Sequence, residues 1–227
     1  MTPREASREG VRLVLDGLFP PSCLSCAEEG EWLCQSCLET ISFVGRVALP
    51  EDHPLTTLIA VSSYQQPIMG GLIRSFKYQR ALCLEEEALR DVLLRFRDES
   101  EALSALLPAP TLIVPLPMDP ERQRTRGMDH AFRLATLVQA LFFPTIPVRQ
   151  VLARTRVTQT NARLATAEAR AANLEEVFQC TQKVKGEEIL LIDDVYTSGA
   201  TLREAALQIH ASEGASVQAL VLARSMV

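Results

Sequence analysis

The sequence predicts an α/β protein: a parallel β-sheet flanked by helices, with a small four-cysteine module at its N-terminus. Three observations predict it. From about Leu58 onward, short apolar runs alternate with segments of helical spacing, the order that builds a parallel sheet covered on both faces. One of those runs, Ile189 to Ile192, is uninterruptedly apolar, as a strand buried on both sides requires. Four of the six cysteines (Cys23, Cys26, Cys34 and Cys37) fall within a single short stretch. With 227 residues, the chain is about one and a half times a usual domain. We read residues 1–45 as the cysteine module and 55–227 as the α/β domain.

The elements follow in order. Residues 58–64 (LIAVSSY) read as a strand. Residues 67–79 place Ile68, Leu72, Ile73 and Phe76 at helical spacing, with Gly70-Gly71 weakening the start. A long helix is predicted over 84–107, where Leu84, Ala88, Leu89, Val92, Leu93 and Phe96 share a face. Residues 111–117 (TLIVPLP) read as a buried strand ending in prolines, and 129–143 as a helix punctuated by Pro144 and Pro147. A strand over 147–155 leads into a polar segment rich in Ala, Thr and Arg, read as a mobile loop with partial helix. Residues 187–195 (EEILLIDDV) form the clearest strand, 200–213 a helix stopped by Gly214, and 216–224 the last strand.

Composition narrows the function classes. Apolar residues make up 47% of the chain and charged residues 22%, as in an ordinary globular protein. The net charge of −5 argues against a broad basic surface for nucleic acid and leaves room only for a local patch. The longest uncharged apolar stretch, Ala102 to Met118, carries Pro108, Pro110, Pro115 and Pro117, too many breakers for a membrane span. The N-terminal residues mix acids with arginines and lack a secretory signal's apolar run, so a cytoplasmic location is expected.

In that reducing compartment, Cys23-x-x-Cys26 and Cys34-x-x-Cys37 do not read as a disulfide framework. Each C-x-x-C brings two thiolates to one tight knuckle, and two knuckles complete a tetrahedron of sulfur, the closed set that structural Zn²⁺ prefers. Such a site leaves no position for a reacting water, so this zinc would stabilise and not catalyse. An iron–sulfur cluster and redox disulfides are the remaining alternatives. Cys83 and Cys180, standing alone, read as buried small apolar residues.

The most informative stretch runs from Ile189 to Thr201. A buried strand delivers Asp193 and Asp194 to its C-terminal end, where α/β sheets bind ligands. The turn that follows supplies the hydroxyls of Thr197, Ser198 and Thr201, while Gly199 and Ala200 let backbone amides close on a phosphate at a helix N-terminus. Adjacent carboxylates bind vicinal hydroxyls, so the combination suits a ribose 5-phosphate group. The ordinary alternative is an acidic strand end followed by a plain turn. No Gly-Lys-Ser/Thr follows, so it is not a Walker A loop, and the chain has no G-x-G-x-x-G here.

This stretch resembles the phosphoribosyl-diphosphate motif of type I phosphoribosyltransferases, a hydrophobic run, two acids, then Thr-(Thr/Ser)-Gly-x-Thr. Across nearly the whole chain the order is four-cysteine knuckle, Phe76-Lys77-Tyr78, Val114-Pro-Leu-Pro117, Arg126-Gly127, Arg154 and the acid pair. That order is similar to the ComF family, competence-associated proteins in which a zinc-finger-like module precedes a type I phosphoribosyltransferase domain.

The resemblance implies a phosphoribosyltransferase-like protein. Asp193 and Asp194 would hold the ribose hydroxyls, and Thr197 to Thr201 the 5-phosphate. Arg122, Arg124 and Arg126 would face the diphosphate, or else form a solvated basic turn. Lys77 matches a family lysine within reach of a phosphate, or is a surface lysine. Mg²⁺ would accompany the diphosphate, and the 155–172 segment would close over the site. The implied partners are phosphoribosyl diphosphate and, through competence, single-stranded DNA or proteins of the uptake machinery. A non-catalytic binding module in transformation is the alternative. After Arg126-Gly127 the family shows Phe-Asn-Gln, where this chain has Met128, Asp129 and His130. Asp129 thus places a negative charge where an amide is usual, and His130 reads as a surface or capping residue or a general base. In the mobile loop, Gln159 or Asn161 would take the place of the family's glutamine.

Overall fold

In a computed structural model, residues 20–78, 84–99, 109–119, 129–155 and 177–225 are described. A short helix, α1 (Gln35–Glu39), follows the first cysteines, and then come strands β1 (Phe43–Arg46) and β2 (Thr57–Ser63). Helices α2 (Pro67–Tyr78) and α3 (Leu84–Glu99) precede β3 (Leu112–Pro115), α4 (His130–Phe142) and β4 (Leu152–Arg154). The chain ends with β5 (Phe178–Cys180), β6 (Glu188–Tyr196), α5 (Ala200–Ala211) and β7 (Ser216–Arg224).

The central sheet has the order β1-β2-β7-β6-β3. Three of its four pairings are parallel; at the edge, β1 runs antiparallel to β2. Side-chain alternation divides the interior into two layers. On β6, Leu190 and Ile192 face one apolar cluster and Ile189 and Leu191 the other, and Ile59 and Val61 against Leu58 and Ala60 repeat the division on β2. The first layer is covered by α2, α3, α4 and the cysteine module, the second by α5 and the β4–β5 pair. Helices therefore flank a mostly parallel sheet, as expected. No helix among the described residues is long and apolar enough to cross a membrane.

Three details depart from the expectations. The strand expected over 147–155 is confined to Leu152–Arg154, which pairs with β5 in a separate two-stranded sheet. Around Val148 the chain meets β3 in one isolated bridge, Ile113 N–H donating to Pro147 O and Arg149 N–H to Ile113 O, and then leaves the central sheet. Gly214 is not the left-handed residue that ends α5. Glu213 takes that conformation at φ +65°, and Gly214 is required for space, since a Cβ there would lie 2.6 Å from Ile209 Cγ2. The end of the helix expected beyond Glu99, the loop over 156–172 and Cys83 lie outside the described residues.

Candidate functional site

The cysteine module folds by bending its backbone onto its own sulfurs. Cys23 N–H donates to Glu28 O at 2.8 Å, Ala27 N–H to Cys23 O at 2.9 Å, and Gly30 N–H to Pro21 O at 2.8 Å. This tight turn places Ala27 in the left-handed region at φ +62°. Cys34 precedes α1, and Cys37 sits one turn into it. The Sγ atoms of Cys23, Cys26, Cys34 and Cys37 all lie within 4.8 Å of one another, with Cys26 and Cys34 3.6 Å apart. A tetrahedron with metal–sulfur bonds of about 2.3 Å has edges of roughly 3.8 Å, so four sulfurs at this spacing can hold a zinc ion. Burial opposes ionisation of Cys23. The backbone amides of Cys26, Cys34 and Ser25 outweigh it and bring this thiol down to about 6, while desolvation and the adjoining sulfurs push the Cys26 and Cys37 thiols up.

The module is not a loose appendage. Cys23, Leu33, Cys34, Leu38 and Ile41 share one apolar cluster with Leu89, Val92, Leu93 and Phe96 of α3. Arg95 of α3 reaches across to Leu38 O and Ile41 O, satisfying carbonyls in and just past the last turn of α1. Its guanidinium also lies 5.1 Å over the Phe43 ring.

The second site stands at the C-terminal edge of the central sheet. The pairing of β6 between β7 and β3 carries Asp193 and Asp194 out of the core at the strand's end, where burial relaxes from complete to partial. Asp194 N–H donates to Asp193 Oδ1 at 2.8 Å. Lys77, in the last turn of α2, places Nζ 2.9 Å from Asp194 Oδ2, with about a fifth of the lysine and a quarter of the aspartate side chain exposed. Burial pushes the Asp193 carboxyl up, and the neighbouring Asp194 charge adds to it, to about 7. Lys77 and Arg154 pull in the opposite direction.

Beyond Tyr196 the chain turns through Thr197 and Ser198, both exposed, to a buried Gly199. Gly199 has φ +76° and precedes the first residue of α5 with no side-chain cap. Arg203 N–H is the first to bond back, to Gly199 O at 2.8 Å. The amides ahead of it point out along the helix axis as an anion-binding end. A Cβ at position 199 would meet the Tyr196 ring at 2.7 Å, so the turn requires glycine for both conformation and space. Ala200 and Thr201 are partly buried in the first turn.

The structure therefore brings Lys77, Asp193 and Asp194 together and sets Thr197, Ser198, Gly199, Ala200 and Thr201 directly beside them. Arg122, Arg124 and Arg126 lie outside the described residues. Two neighbouring residues were given no role by sequence reasoning. Arg154, whose side chain is 12% exposed, donates from Nε to Pro117 O at 3.0 Å, and its Nη1 lies 3.9 Å from Asp119 Oδ2. Asp119 is itself buried. The hints were the place of Arg154 in the family order and the position of Asp119, an acid just past a strand that ends in prolines.

Asp129 takes a role not weighed for it from sequence, and His130 is not at the surface. Asp129 caps α4, accepting from Phe132 N–H at 3.0 Å and from Gln150 Nε2 at 2.9 Å. Its charge is thus used on the helix N-terminus. His130 is only 3% exposed, with its ring 5.5 Å from that of Phe76. Burial excludes the surface reading. Cys180 is partly buried, and its thiol donates to Gln208 O at 3.4 Å.

Among the described residues, the cysteines are the one group of three or more metal-ligating side chains that come together. The acid pair does not form a protein-only cation cage: one carboxylate is engaged by Lys77, and the other holds its proton unusually well.

The fold and its two sites define an α/β protein with a four-cysteine knuckle packed on one face and paired acids at the C-terminal edge of the sheet. Comparison with known proteins points the same way. The chain is similar to DNA utilization protein YhgH of Salmonella typhi, 28% identical over 214 residues that cover 90% of each chain. It is similar to Competence protein F of Haemophilus influenzae, 27% identical over 188 residues, covering 81% of this chain and 76% of the relative. DNA utilization protein YhgH of Escherichia coli is 26% identical over 211 residues, 93% of this chain and 86% of the relative. No family model matches the chain. Similarity at this level over most of each sequence supports the resemblance to the ComF family.

Proposed function

We propose that the chain binds phosphoribosyl diphosphate at the acidic sheet edge and acts as a phosphoribosyltransferase-like protein in DNA utilization or competence, the roles named for its relatives. One observation carries this reading: two adjacent carboxylates end a buried strand immediately before an uncapped helix N-terminus opened by Gly199. Asp193 and Asp194 accept the ribose hydroxyls. The amides at the start of α5 and the hydroxyls of Thr197, Ser198 and Thr201 take the 5-phosphate, and Lys77 supplies positive charge beside them. By the family resemblance, Arg124 and Arg126 face the diphosphate. Departure of that diphosphate leaves an electron-poor sugar carbon for an incoming nucleophile, and the protein contributes mainly positioning and charge stabilisation. Mg²⁺, which the resemblance implies, would offset the charge of the departing diphosphate, with Asp193 and Asp194 the carboxylates beside it. The knuckle holds one structural zinc.

A calorimetric titration with phosphoribosyl diphosphate, with and without Mg²⁺, tests the reading, and absence of binding to the wild-type protein overturns it. Asp194→Asn is expected to weaken binding by about 10- to 100-fold, the worth of a charge-assisted hydrogen bond, without lowering the melting temperature. Release of diphosphate on adding a nucleobase or amine separates transfer from binding alone.

The names of the relatives favour a second reading, a non-catalytic module that meets single-stranded DNA. The knuckle is poorly suited to that contact, because Glu28, Glu29 and Glu31 crowd its exposed face. A gel shift whose affinity falls steeply with salt would support DNA binding elsewhere on the protein.

A further inference from the structure

We infer that Arg154 is a positioning residue for the acidic edge: it holds the segment leaving β3 in place and lends that edge a nearly buried positive charge. The inference rests on the reading of this edge as a sugar site, but its first test does not require a ligand.

Four observations converge on Arg154. It ends β4 in register with Phe178 of β5, and its guanidinium lies 5.2 Å over the Phe178 ring, whose residue is 2% exposed. That stacking fixes the plane of a nearly buried cation. The Nε atom donates to Pro117 O at 3.0 Å, and Nη1 lies 3.9 Å from Asp119 Oδ2. Both partners belong to the segment by which the chain leaves the C-terminal end of β3. That strand lies beside β6 in register from Leu112↔Ile189 to Pro115↔Ile192, so Asp193 is the next residue along. Arg154 thus ties the β4–β5 pair, on one face of the sheet, to the edge where Asp193 emerges.

The charges around Asp193 come from three elements. Asp194 on β6 raises its proton affinity, as burial does, while Lys77 from α2 and Arg154 from β4 oppose them. Lys77 is committed to Asp194 at 2.9 Å. Arg154 faces the carboxylate of Asp119 as well, so the two cations and three acids form one coupled set. A carboxylate that must accept hydrogen bonds from a diol has to be ionised, and removal of either cation shifts the balance towards its protonated form.

Carbon-detected NMR of the aspartate carboxyls, in the ligand-free full chain, measures the Asp193 titration directly, assigned with Asp193→Asn. In Arg154→Gln the midpoint is expected to move up by about one pH unit; in Arg154→Lys, which retains charge, it returns most of the way. Phosphoribosyl diphosphate affinity is expected to fall about 10-fold in Arg154→Gln at neutral pH and to recover as pH rises. A purely structural role would lower affinity equally at every pH. Should Arg154→Gln fail to fold, Arg154→Lys decides the matter: a near-native titration with affinity weakened at least about 3-fold, because the planar fork is lost, supports the inference, and native affinity overturns it. An Asp193 midpoint unchanged in Arg154→Gln also overturns it. If wild-type protein binds no phosphoribosyl diphosphate while the NMR shift appears, the assignment of the sugar site fails and the electrostatic role of Arg154 stands.

Discussion

In the knuckle, Cys23, Cys26, Cys34 and Cys37 are supplied by neighbouring residues, and local backbone hydrogen bonds alone bring their sulfurs within 4.8 Å. At the acidic edge, Lys77, Asp119, Arg154 and Asp193 come from four parts of the chain and meet only because the sheet order β1-β2-β7-β6-β3 is correct. The first site is a local structure that helps to build the core. The second is a product of the core already built. Removing a ligand from the knuckle is therefore expected to act on stability, and removing a carboxylate from the edge on binding.

The sharpest way to break this contrast is Cys34→Ser. Cys34 is 8% exposed and shares the apolar cluster with α3, so loss of its thiolate disturbs metal and packing together. Zinc measured by elemental analysis is expected to fall from one per chain to near none. The unfolding free energy should drop by several kcal/mol, roughly the scale set by structural zinc and buried core contacts. A variant that releases metal but melts like the wild type would make the knuckle a true appendage.

At the edge, Gly199→Ala tests whether the turn before α5 is strained or merely small. The methyl would enter the Tyr196 ring at 2.7 Å with the backbone held at φ +76°. A loss of about 1–3 kcal/mol in chemical unfolding is expected, together with weakened phosphate binding. Native stability would mean that Tyr196 swings aside freely.

The pH dependence of stability separates the two sites further. Asp193 is raised from 3.8 to about 7 in the folded protein, so between those values the native state holds a proton that the unfolded chain has released. Unfolding free energy therefore falls as pH rises through that window and levels off above it. Urea midpoints at pH about 5 and about 8 should differ in this direction, and Asp193→Asn should remove most of the slope.

The smallest effect is expected at Asp129. Asparagine caps a helix about as well as aspartate, and it still offers an oxygen to Phe132 N–H, so Asp129→Asn should change stability by less than about 0.5 kcal/mol. An unchanged phosphoribosyl diphosphate affinity would fit its placement as a cap. A marked gain would return this position to the ligand.

Most of the architecture was legible because burial writes itself into the chain. Ile189 to Ile192 could only be a strand covered on both faces, and the α2 and α4 helices carry their apolar positions at regular spacing. Asp193, Asp194 and the turn to Thr201 were equally readable, since strand, acids, glycine and helix start are consecutive. The missed elements are short. β1 has only Phe43-Val-Gly-Arg46, and β5 only Phe178-Gln-Cys180, too few residues for alternation to register. Arg154 and Asp119 were not readable as partners because their encounter depends on how β4 leaves the central sheet after Pro147. Asp129 misled for a different reason. The same carboxylate that looks misplaced for a ligand is well placed for the first turn of α4, and only the path of the chain decides between them.

The antiparallel strand β1 has a practical consequence for anyone dissecting the molecule. It is the stretch through which the knuckle joins the sheet, and it occupies the outer hydrogen-bonding groups of β2 at Ser62, Ala60 and Ile59. Cutting the chain near residue 50 would leave β2 as a naked template for strand addition and uncover the side of α3 that Leu38 and Ile41 now shelter. Fragments made that way should self-associate, so their behaviour in solution would say more about the cut than about the protein.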